Sequence, residues 1–125
     1  MIITEATSVS AAARSTLGDT GIWNDLQRDA WRPITNFIHE QGAKISIQLG
    51  HFGSKGSKSL PKEGLKPLSP QDGGWQTVSS SPIAPFPGMS VPKELSIPEI
   101  ESITQDFVQA SIRAVDAGFD MIEIH

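Results

Sequence analysis

The sequence predicts an α/β chain in the order strand, helix, strand, long loop, helix, strand. That order is the signature of a parallel sheet joined by right-handed helical crossovers. Three observations carry the expectation. Short β-type segments recur at 1–6, 44–49 and 119–125; two segments of helical periodicity lie between them; turn residues punctuate every junction. Two architectures fit, an open doubly wound sheet and a (β/α)8 barrel, and three strands do not close a barrel.

The first strand, Met1 to Ala6, opens on the apolar run Met1, Ile2, Ile3, as expected of a strand covered on both faces. Thr7 to Gly21 reads as loop. The first helix is expected from Asp25 to His39, capped by Asn24 or Asp25, with Leu26, Ala30, Ile34 and Ile38 as its apolar stripe. Pro33 lies inside it and predicts either a kink or a restart. Gly42 fits the C-terminus of that helix, and His39 near its end is a favourable partner for the helix dipole. The second strand, Lys44 to Leu49, alternates Ile45, Ile47 and Leu49 with Lys44, Ser46 and Gln48.

Residues 51–95 hold seven of the nine prolines and six of the eleven glycines. A connection this long without regular structure is typical of a lid or binding loop, or of a disordered linker. Leu68, Trp75, Ile83 and Phe86 favour a loop that packs. The last helix begins at a capping box, Ser96 to Glu99, with Pro98 in its first turn; Ile100, Ile103, Phe107, Ala110 and Ala114 make its stripe and Gly118 ends it. The third strand runs from Phe119 to His125.

Composition narrows the function. The chain has 125 residues, 10 Lys and Arg against 14 Asp and Glu, and a net charge of −4. A mildly acidic chain without a basic block argues against nucleic acid as its partner. The absence of cysteine rules out disulfides and thiolate chemistry within these residues. No apolar run approaches a membrane span and no secretory signal is visible, so a cytoplasmic setting is expected. Both ends fall inside apolar runs, so the chain is expected to be an incomplete segment of one larger domain.

Alternation places Met121, Glu123 and His125 on one face of the third strand and Ile122 and Ile124 on the other. In a barrel the polar faces turn inward, with Gln48 and His125 at the C-terminal rim where such enzymes place their sites. Thr4 and Ala6 are expected to share the corresponding face of the first strand. Each residue also has a plain structural reading. A lone His at a strand end is commonly a satisfied structural group, and His51 reads as a rim residue or a solvated loop His. Glu123 with His125 is thin support for a metal site. Gly50 to Gly56 is glycine-rich, but Lys55 precedes Gly56 and the phosphate-loop ending is missing.

Several segments together resemble the Old Yellow Enzyme family of flavin oxidoreductases. Ile3-Thr-Glu-Ala-Thr-Ser-Val9 is similar to the family's I-x-E-A-T-x-V strand. Lys44 to His51 is similar to its I-Q-L-x-H strand. Leu68-Ser-Pro, Gly73-Gly-Trp75, Ser81-Pro-Ile83 and Pro92-Lys-Glu-Leu95 resemble its capping insertion, and Ala117 to His125 resembles its A-G-F-D-x-I-E-I-H strand. The similarity is closest to the NADPH dehydrogenase and xenobiotic reductase branch. It implies a (β/α)8 barrel holding FMN, of which this chain supplies about strands two to four, with 51–95 as the capping loop.

The implied reaction passes a hydride from NADPH or NADH through FMN to an activated alkene, a small electrophile such as an α,β-unsaturated carbonyl compound. By position, Ala6 lies against the flavin, Gln48 bonds its pyrimidine edge, and His125 binds the substrate carbonyl and approaches the flavin. The family's Arg is missing at Phe52-Gly53-Ser54, and the residues that would follow His125 in the site are not in this sequence. The isolated chain is therefore expected to bind FMN weakly and to be inactive. Homo-oligomerisation of the complete protein stays open. The alternatives are a non-catalytic relic or binding module derived from such a barrel, and a flavodoxin-like open sheet, for which Thr7 to Gly18 offers only a diffuse phosphate loop.

Overall fold

The computed structural model describes residues 1–125. Three strands form one parallel sheet in the order β1 (Ile2–Ser8), β2 (Ile45–Gly50), β5 (Met121–Ile124). β2 is central, and every residue in it except Gln48 is buried. Ile45, Ile47 and Leu49 turn to one face and join Ile38, Ala110, Ala114 and Phe119 in a single core. Two helices cover that face, α1 (Asp25–Glu40) and α2 (Ile97–Asp116).

α2 follows the sequence expectation except at Ile100, the first residue of its expected stripe, which is exposed. Ala110 and Ala114 are fully buried, and alanine there lets the helix axis approach the sheet. The Ser96 N–H and hydroxyl both donate to Glu99 Oε2, at 3.0 and 2.8 Å, and anchor the first turn. The Lys93 ammonium, then those Ser96 donors, hold the Glu99 carboxyl down to about 2. Gly118 follows the helix at φ +92°, a left-handed conformation that glycine adopts without strain.

α1 takes the expected Asn24 cap, which accepts from the Gln27 N–H at 2.9 Å, but it runs on through Pro33 without a restart. Its buried side is also different. Leu26 is 82 % exposed, Ile34 45 % and Phe37 62 %, whereas Trp31, Thr35 and Ile38 face the sheet. Trp31 packs edge-on against Phe119, with ring centroids 5.4 Å apart. Thr35 donates to the Ala117 carbonyl at 2.5 Å. The reason is the helix's neighbours. One flank of α1 meets α2 through charges, with Arg28 and Arg32 on Asp116 and Arg113 on Asp25. The apolar side chains Leu26, Ile34 and Phe37 stay exposed. α2 likewise exposes Val108, Ile112 and Val115.

Between β2 and α2 the chain forms short 3-10 turns at Gly53–Lys55, Pro61–Glu63 and Pro70–Asp72, and a two-residue parallel pair, β3 (Val78–Ser79) with β4 (Lys93–Glu94). It packs in part only. Trp75 donates to the Ala12 carbonyl at 3.1 Å, while Ile83 and Phe86 are exposed, contrary to expectation. Arg14 lies between Trp23 and Trp75, 5.6 and 5.2 Å from their centroids. Backbone bonds from Phe52 to Ala13 and from Lys58 to Ser15 join the same two loops.

At the N-terminal end of the sheet Asp120 gathers three donors: Lys44 Nζ at 2.7 Å, His39 Nε2 at 2.8 Å and the Ile45 N–H at 3.0 Å. His39 therefore has a side-chain partner in addition to the helix terminus. No helix is long and apolar enough to cross a membrane.

Candidate functional site

The C-terminal ends of the three strands meet under the loop that follows β2. Pairing sets Ala6 beside Gln48 and Gln48 beside Glu123, so the three lie in one row across the sheet. The His125 N–H donates to the Leu49 carbonyl at 2.9 Å, which holds His125 just past the end of β5. Its side chain is 69 % exposed. Ala6, Gln48 and His125 thus stand at neighbouring strand ends, with Ala6 and Gln48 directly paired.

A bulge in β1 makes the row. Ile3 pairs with Ser46 and Ala6 with Gln48, three residues on one strand against two on the other. Strict alternation would put Thr4 beside Ala6. Instead Thr4 Oγ1 comes to 3.4 Å from Thr7 Oγ1 and accepts from the Gln48 N–H at 3.2 Å. The Thr4 hydroxyl fills a place in the ladder where a backbone carbonyl would otherwise serve.

Glu123 is the residue that sequence reasoning undervalued. Its Oε1 accepts from Gln48 Nε2 at 2.9 Å and lies 3.7 Å from His125 Nδ1. The amide of Gln48 is thereby oriented, with its own oxygen free to accept. Alternation put Glu123 on the inner face of its strand, but only the pairing register brings it level with Gln48. No cluster of three potential metal ligands forms around Glu123 and His125.

Above the row lies a cavity of about 460 Å³. Ala6, Gly50 and His125 supply its floor, and His51, Phe52 and Lys55 come from the loop after β2. Val78, Leu95 and Ile103 add an apolar wall. Gln48 lies beside this cavity and not on its surface. His51 is half-buried. Its Nδ1 accepts from the Gly53 N–H at 3.0 Å, so the neutral ring carries its proton on Nε2. Burial lowers the His51 pKa, against the opposing pull of Asp106, and keeps the ring neutral. The arrangement can seat a flat, largely apolar ligand and offer it amide and imidazole groups.

Comparison with known proteins gives this geometry its context. The sequence profile of the NADH:flavin oxidoreductase / NADH oxidase family matches residues 1–125. An NADH:flavin oxidoreductase of Gibberella zeae is 42 % identical over 125 residues, covering 97 % of this chain and 30 % of its own length. An NADPH dehydrogenase of a Geobacillus species is 38 % identical, covering 100 % of this chain and 32 % of its own. Among solved structures, morphinone reductase superposes with a TM-score of 0.80 at 31 % identity, over 99 % of this chain and 35 % of that one. The chain therefore spans about a third of the length of these relatives. Its parallel strands and covering helices are part of a (β/α)8 barrel, without closure in the chain itself. On the full-length profile match, the chain belongs to the NADH:flavin oxidoreductase / NADH oxidase family.

Proposed function

We propose that this chain carries part of the flavin- and substrate-binding face of an FMN-dependent oxidoreductase that uses NADPH or NADH to reduce activated alkenes. The observation that carries the reading is the row Ala6, Gln48, Glu123 across three parallel strand ends, with His125 just beyond it. Residues 1–125 would then be an incomplete part of one barrel domain, and 51–95 its capping loop.

The donor set fits an FMN ring. Ala6 is small, and a Cβ added at Gly50 would meet nothing within 4 Å, so a flat ring can approach both strand ends. Gln48 offers an amide, which both donates and accepts, as the flavin pyrimidine edge requires. The chemistry a bound FMN supplies is hydride relay from the nicotinamide to the alkene β-carbon. The protein contributes position and polarisation. Gln48, oriented by Glu123, holds the pyrimidine edge. His125 donates from its imidazole to the substrate carbonyl oxygen, where negative charge grows as the hydride arrives.

The test uses the full-length protein that contains this chain. It should purify with FMN and reduce an enone with NADPH. His125→Ala should slow the alkene half-reaction by about 10²–10³-fold, the usual cost of losing an oxyanion donor, with much less effect on flavin reduction. Stopped-flow absorbance separates the two steps, and equal losses in both would reassign His125 to flavin binding. The isolated 125-residue chain, with both sheet edges open, should release FMN on gel filtration.

A further inference from the structure

We infer that the cavity above the strand ends takes a substrate bearing a carboxylate, with Lys55 and His51 as the receptor for that group. The inference rests on the ene-reductase reading and adds the substrate class to it. Its first ground is the charge of the wall. The chain as a whole has more acids than bases, yet none of the residues lining this cavity is acidic. They include Lys55, His51 and His125, and the hydroxyls of Ser54 and Ser79.

The second ground is that these donors are unspent. No carboxylate lies within 4 Å of the Lys55 ammonium; Arg28, Arg32, Lys44, Lys93 and Arg113 each have one, and of the five cations without one Lys55 is the one that lines this cavity. His51 has committed Nδ1 to Gly53, so its remaining polar atom is an N–H donor. A lysine beside a neutral imidazole donor balances one negative charge, as a carboxylate supplies. A phosphate dianion would bring a second charge with no second cation to meet it, since Lys55 is the one Lys or Arg on this wall. The third ground is the rest of the lining. Above the floor of Ala6 and Gly50, where the flavin ring would lie, Phe52, Val78, Leu95 and Ile103 suit the apolar body of a substrate. The ligand this describes has an apolar core, a carbonyl reached by His125 and a carboxylate reached by Lys55 and His51.

The test compares trans-3-benzoylacrylate with its methyl ester as substrates of the full-length holoenzyme. The acid should have the lower KM. Lys55→Gln should raise the KM of the acid about tenfold more than that of the ester, the size expected for one charge-assisted hydrogen bond, and Lys55→Arg should restore it. His51→Asn should act in the same direction and more weakly. Equal KM values for acid and ester, or equal effects of Lys55→Gln on both, would overturn the inference. So would a Lys55→Gln variant that raises the KM of NADPH and spares the acid, because the anion would then be a nicotinamide phosphate. If neither compound is reduced, the ene-reductase reading fails by itself. Flavin difference spectra then decide the carboxylate site: tighter binding of the acid, lost in Lys55→Gln, supports it, and equal binding of acid and ester ends it.

Discussion

The two ends of one parallel sheet treat their polar groups in opposite ways. At the N-terminal end, Asp120 is surrounded by Lys44, His39 and the Ile45 N–H, and Thr35 ties α1 to the end of α2. Each of these side chains closes a contact between two elements. At the C-terminal end, His51, Lys55 and His125 keep hydrogen-bonding capacity open toward a cavity, and the side-chain oxygen of Gln48 beside it has no donor. The same backbone thus closes on itself at one end and leaves polar groups free beside a cavity at the other. This is the usual division of labour in (β/α)8 barrels.

Substitutions can break or sharpen that contrast. The largest effect after His125→Ala is expected for Gln48→Leu, which removes the amide and leaves the ladder intact. In the full-length protein the Kd for FMN should rise by about 10–100-fold, as for loss of a buried hydrogen-bonding partner, and flavin fluorescence titration reads it. The melting temperature without flavin should hardly move.

Asp120→Asn should do the reverse: lower the melting temperature and leave the affinity for FMN unchanged. The Lys44 ammonium first, then the Ile45 N–H and His39, hold the Asp120 carboxyl well below its ordinary 3.8. A carboxyl depressed in the folded state stabilises fully above its unfolded pKa and loses that contribution as pH falls toward the folded value. The gap in melting temperature between the parent and Asp120→Asn should therefore be widest near neutral pH and should close below about pH 4. A gap independent of pH would mean that Asp120 acts through shape and not charge. Smaller again is Thr35→Val, which removes the buried bond to the Ala117 carbonyl and should cost about 1 kcal/mol in urea unfolding. Activity lost along with that stability would show that the two ends are coupled.

Much of the fold was legible. Ile45, Ile47 and Leu49, and likewise Ile122, lie on the helix-covered face that alternation assigns them, whereas Ile124, assigned to the same face as Ile122, is exposed. α2 was legible because its cap, stripe and closing glycine agree. α1 was misread. Of its expected apolar stripe only Ile38 reaches the core; Leu26, Ala30 and Ile34 point away from it, and Thr35, a polar residue, is fully buried. Periodicity reports that a face is apolar and not which neighbour covers it. In the site, Gln48 and His125 could be placed at strand ends from the sequence. The bond from Gln48 to Glu123 could not, because it depends on register between strands whose residues lie 75 positions apart.

By itself the sequence determined the alternation of strands and helices, the turn-rich insertion between β2 and α2, the absence of thiols and the residue types at the strand ends. Those properties are local and follow from side-chain period, caps and composition. Only the tertiary structure decided that a bulge in β1 brings Ala6 into line with Gln48, that Glu123 orients that amide, and that His51 and Lys55 look into one cavity with His125. These depend on register and packing between distant segments, where a shift of one residue sends every side chain to the opposite face.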